Sequence, residues 1–162
     1  MHSCLMAITT GARRSELLGL RWRYVDLERR QARITLTKNS EAKVLPLTKA
    51  VADELTRARA EDAKRFKLAL ANTLVFHSER QPDVGFHFES QWQAALKSAG
   101  VRGFRFHDLH HTCASYLAQN GATLLEIADV LVHEQMQMVK RYSHLTVGSK
   151  AALIDKVRGE IE

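Results

Sequence analysis

The chain has 162 residues, enough for one domain with a real core, and 45% of them are hydrophobic. Lys and Arg outnumber Asp and Glu by 24 to 18, for a formal net charge of +6 and a pI near 9.6, so a polyanionic partner is favoured. No apolar run approaches the roughly 20 residues that cross a bilayer, and Met1-His2-Ser3-Cys4-Leu5 is too short and too weakly basic for a secretory signal. A cytoplasmic protein is expected.

Leu5-Met6-Ala7-Ile8 reads as an apolar helix that starts without a cap, as expected of a piece cut from something longer. Gly11 marks a tight turn, after which Arg14–Trp22 mixes Leu17, Leu18 and Leu20 with charged residues in helical fashion. From Asp26 onward the period becomes two. Ile34 and Leu36 face one way while Arg33, Thr35 and Thr37 face the other, Val44-Leu45 forms a second apolar run, and Asn39-Ser40-Glu41 is the hairpin turn between them.

Helical spacing returns after Thr48, a plausible N-cap, with Val51, Leu55, Ala58 and Ala63 on one face. Leu74-Val75-Phe76 is a short strand or buried connector, and 88–99 is a helix stopped by Gly100. Three close helices are predicted over 108–119, 123–131 and 135–142, with Asn120-Gly121 separating the first two. A last segment sets Leu153, Ile154, Val157 and Ile161 on one face, suited to packing within the domain or to docking on a neighbouring copy. Cys4 and Cys113 lie far apart in apolar surroundings, so buried thiols are expected rather than a disulfide or a metal pair. The fold class is α+β, mainly α-helical, with a small antiparallel β-sheet near the N-terminus.

Four separated segments carry a resemblance. They are Thr10-Gly11-Ala12-Arg13-Arg14-Ser15-Glu16, Thr37-Lys38-Asn39, His107-Asp108-Leu109-His110-His111-Thr112, and Leu131-Val132-His133 followed 9 positions later by Tyr142 in Arg141-Tyr142-Ser143-His144. In order and spacing this set resembles the catalytic domain of the tyrosine recombinases of the phage integrase type. The resemblance implies that fold over 1–162, with the family's N-terminal DNA-binding domains left out.

It also implies a reaction, in which a tyrosine hydroxyl displaces a DNA 5′ oxygen and leaves a 3′-phosphotyrosyl link that is later resealed. Tyr142 is then the nucleophile, His107 the base, Lys38 the general acid, and Arg13, His110 and His133 the groups that answer charge on the phosphate. Glu16, one turn after Arg13, orients the cluster without touching DNA. Arg33, Lys43, Arg102, Arg105 and Lys140 flank these segments and are expected phosphate contacts. The implied displacement by a tyrosine hydroxyl requires no metal, and because the covalent link keeps the energy no cofactor is called for. His107, His110 and His111, at i, i+3 and i+4 on a helix, admit a metal-site reading, but they lack the glutamate of a zinc-protease helix.

One position departs from the family. Histidine stands at 110, where an arginine is expected, and an imidazole donates fewer hydrogen bonds and is mostly uncharged at pH 7. A weakened or strongly pH-dependent enzyme is the expectation. Val132, in place of a glycine, is a smaller departure. The implied partners are double-stranded DNA and further copies of the chain in a tetrameric synapse, with the isolated domain monomeric, in a bacterium, phage or mobile element. The competing readings are a DNA-binding relative that does not cut, and a type IB topoisomerase that relaxes supercoils as a monomer.

Overall fold

The computed structural model describes residues 2–34, 43–78, 81, 84–85 and 88–131. Of the predicted features, the hairpin turn with Lys38 and everything beyond Leu131, including the last two predicted helices, lie outside the described residues.

Helix α1 spans His2–Thr10 and ends at Gly11, whose N–H returns to the Ala7 carbonyl at 2.9 Å and whose φ of +65° suits a residue without a side chain. Helix α2, Arg14–Leu18, is shorter than the predicted 14–22. It stops at Gly19, and the chain re-forms a single 3-10 turn over Trp22–Tyr24, because Leu20 and Trp22 both enter the core on a path that a continuous helix would not give.

Strands β1 (Val25–Asp26), β2 (Gln31–Ile34) and β3 (Lys43–Pro46) form an antiparallel sheet in the order β1-β2-β3. Opposite residues include Ala32 with Leu45, and Arg33 with Val44. Period-two alternation sends Ala32, Ile34, Lys43 and Leu45 inward and Gln31, Arg33 and Val44 outward. The inward lysine breaks the usual apolar rule for a buried face.

Helix α3 runs from Lys49 to Phe66, with the Thr48 hydroxyl accepting the Val51 N–H as the predicted cap. Its buried stripe holds Val51, Ala52 and Leu55, and then Asp62, whereas Ala63 is only half-buried. The Asp62 carboxylate is compensated on both oxygens: Trp22 Nε1 donates to Oδ2 at 2.8 Å, and His77 Nε2 lies 3.0 Å from Oδ1. This polar knot ties α3 to the 3-10 turn and to the 74–77 segment. That segment is the expected connector, with Leu74 bridged to Arg21.

Helices α4 (Phe88–Ser98), α5 (Asp108–Gln119) and α6 (Leu124–Leu131) match the predicted bounds to within one residue. Phe88 and Trp92 of α4 meet Phe106 edge-on at 4.6 and 5.5 Å, which fixes the chain one residue before His107. Thr123 and Glu126 form a reciprocal cap at the head of α6, so the helix begins at Leu124 rather than at Thr123.

The main core gathers Met6, Leu17, Trp22, Leu45 and Leu55, and a second cluster joins Cys113, Ala114, Ile127 and Leu131 between α5 and α6. Cys113 is buried, Cys4 is partly buried, and both are free thiols. Burial pushes the Cys113 thiol up, partly offset by the charge of Lys43, and so disfavours its thiolate form. No described helix is long and apolar enough to cross a membrane.

Candidate active site

The site is assembled where the end of α1 meets the start of α5. Gly11, buried between them, has its carbonyl in a hydrogen bond with His110 Nδ1. A Cβ built on Gly11 would stand 2.3 Å from Leu131 Cδ2 and 3.6 Å from Cys113 Sγ. Glycine is therefore required twice here, by its positive φ and by the close approach of α6.

Two residues on, Arg13 leaves this junction with its side chain 44% exposed, whereas Glu16, on the first turn of α2, is 3% exposed. Glu16 Oε1 accepts from Arg13 Nη1 at 3.2 Å, and Oε2 accepts the Arg13 backbone N–H at 2.8 Å. One carboxylate thus fixes both the backbone and the head of the arginine, and leaves part of the guanidinium facing solvent.

From the inward face of β3, Lys43 Nζ approaches Glu16 Oε2 at 3.8 Å, with its side chain 2% exposed. Lys43 was expected at the surface as a phosphate contact. The structure corrects this: the strand alternation that turns Val44 outward turns Lys43 inward, and a buried ammonium beside a buried carboxylate completes an Arg13–Glu16–Lys43 triad. Desolvation lowers the Lys43 pKa, with Arg13 acting in the same sense and Glu16 opposing it.

The sign of the pH effect follows from that direction. Below its folded pKa the Lys43 ammonium is charged in both states and its burial disfavours folding in full. As pH rises past that value toward 10.5, the folded chain releases a proton that the unfolded chain keeps, and unfolding becomes harder. Urea unfolding of wild type and Lys43→Met from neutral pH to 10.5 should show the difference shifting in favour of the wild type. A pH-independent difference would mean that this ammonium is not desolvated.

The three histidines stand at the head of α5. His107 is exposed and stacks on His110 with ring centroids 5.4 Å apart and planes 13° apart; it meets His111 edge-on at 5.0 Å. His110 is 2% exposed, so its ring lies beneath the site surface while His107 forms part of that surface. Among the described residues no group of three or more His, Cys, Asp and Glu side chains is placed to hold a metal ion.

The remaining expected phosphate contacts divide. Arg33 and Arg102 are exposed. Arg105 is exposed but folded back on Asp108, with Nη2 to Oδ1 at 3.0 Å, and the side-chain bond holds the Asp108 carboxyl below the usual range. Lys38, His133, Lys140 and Tyr142 lie outside the described residues. The structure thus brings Arg13, Glu16 and Lys43 into one triad, joined through Gly11 to His110 and its neighbour His107. Leu131, two residues ahead of His133 in the chain, packs against the same glycine. Sequence reasoning missed the inward direction of Lys43, and the alternation Arg33-Ile34 and Val44-Leu45 was the signal that could have found it.

A model of the phage integrase family matches residues 3–148. Of the curated proteins similar to this chain, the integrase of Salmonella phage P22 is 31% identical over 161 residues, covering 94% of the chain and 42% of its own length. The shufflon-specific DNA recombinase of Escherichia coli is 27% identical over 158 residues, covering 97% and 38%. The chain therefore spans about two-fifths of the length of these relatives. A solved structure of the Tn1549 transposon integrase in complex with circular intermediate DNA superposes with a TM-score of 0.77 at 19% identity, over 96% of this chain and 59% of that one. The catalytic domain of bacteriophage HP1 integrase gives 0.67 at 20% identity, over 95% and 79%.

Proposed function

Because the chain belongs to the phage integrase family, matched along nearly all of its length, we propose that it is the catalytic domain of a site-specific DNA recombinase. The fold is that of the tyrosine recombinase catalytic domain. The observation that carries the proposal is the Arg13–Glu16–Lys43 triad joined through Gly11 to His110 and its neighbour His107, which gathers residues from two of the four sequence segments, and Lys43 from the flank of a third, beneath the half-exposed Arg13 and the exposed His107.

In the proposed reaction the Tyr142 hydroxyl attacks a backbone phosphorus and the P–O bond to the 5′ oxygen breaks. His107 takes the phenolic proton, Lys38 gives a proton to the departing 5′ oxygen, and the enzyme is left bearing a 3′-phosphotyrosyl ester. Arg13, already oriented by Glu16, presents its exposed N–H groups to the nonbridging oxygens, with His133 donating beside it. Lys43 acts through Glu16 as a positioning residue. Reversal by a 5′ hydroxyl of another strand completes strand exchange without a cofactor, in a tetrameric synapse on double-stranded DNA in the cytoplasm of a bacterium that carries the element. Arg102, Arg105 and Lys140 supply further phosphate contacts to the cleaved duplex, Arg105 after release from Asp108, while Arg33 meets DNA on the outer face of the sheet.

The test is incubation with a suicide DNA substrate carrying the cognate site, followed by a denaturing gel. A covalent protein–DNA adduct is expected from wild type and none from Tyr142→Phe. An adduct that persists in Tyr142→Phe would overturn the assignment.

One observation favours a second reading. His110 stands where the resemblance expects arginine and is held beneath the surface by the Gly11 carbonyl, which suits a relative that binds DNA and cuts it poorly or not at all. His110→Arg decides between them: a gain of about tenfold or more in adduct formation marks an enzyme limited at this position, since one guanidinium in phosphoryl transfer is worth about 10³–10⁵ in rate. No gain removes 110 from the phosphate-binding set.

A further inference from the structure

The alternation that buries Lys43 leaves the opposite face of the sheet to solvent, and that face is not bare. A groove of about 490 Å³ runs between the outer side of β1-β2-β3 and helix α3. Four of its lining residues are arginines drawn from four separate parts of the chain: Arg23 from the 3-10 turn, Arg29 from the β1–β2 turn, Arg33 from β2 and Arg59 from α3. Only two carboxylates, Asp26 and Glu28, share the lining.

The arginines are not equally committed. Arg29 is 3.9 Å from Asp26, which already occupies that carboxylate. Arg23 is braced, its Nη1 donating to Asn72 Oδ1 at 2.9 Å and its guanidinium lying 4.8 Å over the Tyr24 ring. Arg33 and Arg59 have no ion-pair partner among the described residues, although both stand in a groove with two acids. Guanidinia left unpaired around one open concavity raise the local potential and match phosphate oxygens with two parallel donors. Val44, 48% exposed, gives the floor an apolar strip of the kind that deoxyribose covers.

We propose that this groove is a second DNA-binding site, taking the sugar–phosphate backbone of a duplex segment other than the one cleaved. It lies across the sheet from Lys43 and Glu16, so a phosphate seated on Arg33 is not the phosphate beside Arg13. The proposal rests on the reading of the chain as a DNA-acting protein, and it adds where a further stretch of DNA is held. The contacts are to backbone, so binding there is independent of sequence and steeply dependent on salt.

Fluorescence anisotropy with a duplex oligonucleotide of arbitrary sequence, from about 50 to 200 mM salt, reads the number of phosphates engaged. The double variant Arg33→Gln/Arg59→Gln should lower the slope of log affinity against log salt by about 1.8, at about 0.9 per lost phosphate contact. Val44→Glu, a single exposed change that sets a carboxylate on the floor, should also weaken binding, and it decides the matter if the double variant proves unfolded by circular dichroism. Lys64→Gln/Lys97→Gln, which removes two exposed charges outside the groove, should leave the slope near that of wild type. An unchanged slope in Arg33→Gln/Arg59→Gln, unchanged binding in Val44→Glu, or an equal fall in the control pair would overturn the proposal. A wild type that forms no covalent adduct, yet loses slope with the groove variants, would remove the recombinase reading and leave the groove standing.

Discussion

Arg13→Ala should reduce adduct formation on a suicide substrate by about 10³–10⁵-fold, equivalent to about 4–7 kcal/mol of transition-state stabilisation. The size follows from the geometry. Glu16 holds both the Arg13 backbone N–H and Nη1, so in the proposed reaction the guanidinium would meet the phosphate already oriented and with little reorganisation. Arg13→Lys should recover only a small part of the loss, because an ammonium cannot donate two parallel bonds in a fixed plane. DNA binding at low salt should weaken far less than cleavage, since one phosphate contact among many is lost. A variant that cleaves within tenfold of wild type would show that another group carries the developing charge. Glu16→Gln separates orientation from charge: it keeps an acceptor for Arg13 but leaves Lys43 facing a neutral amide, and should fall between wild type and Arg13→Ala.

Gly11→Ala should destabilise the domain by about 2–5 kcal/mol, read as a lower urea midpoint with an unchanged slope. Two costs combine. A side chain at φ +65° loses about 1–2 kcal/mol relative to glycine, and a Cβ at 2.3 Å from Leu131 Cδ2 forces α6 to shift, a strain of about 1–3 kcal/mol. Leu131 is fully buried in the second core cluster, so turning its side chain away from the added methyl disturbs the packing of its neighbours. Cleavage should fall further than stability explains, since the same glycine supplies the carbonyl that seats His110 and is two residues from Arg13. Leu131→Ala, which opens space opposite Gly11, should restore part of the stability of Gly11→Ala when the two are combined. Strict additivity of the two losses would argue against the contact.

Much of this arrangement was legible in the sequence. Helix α5 was readable to the residue because Asp108 opens an apolar stripe that Asn120-Gly121 closes. The Thr48 cap announced α3, and the period of two announced the sheet. What escaped was contact between distant parts of the chain. A lysine in an alternating strand reads as outward, and only Glu16, 27 positions earlier in the chain, makes an inward ammonium tolerable. Asp62 sits in a run of charged residues and looks solvated, yet Trp22 and His77 draw it into the core. Helix α2 was extended too far because Leu20 and Trp22 continue the apolar count, and only the packing of the tryptophan shows that the helix has already ended. The arginine groove was invisible for the same reason, each of its guanidinia belonging to a different element.

Pairing register has an unusual weight in this molecule. Side chains on a strand change sides with every residue, so a slip of one position between β2 and β3 would bring Val44 against Glu16 and swing Lys43 out among the arginines. The single error would strand a carboxylate in the interior and loosen the grip on Arg13. Length changes between β2 and β3 are thus tolerable only where they leave Arg33 opposite Val44, and the pairing of the two strands serves as a ruler that measures out where positive charge is kept and where it is shown.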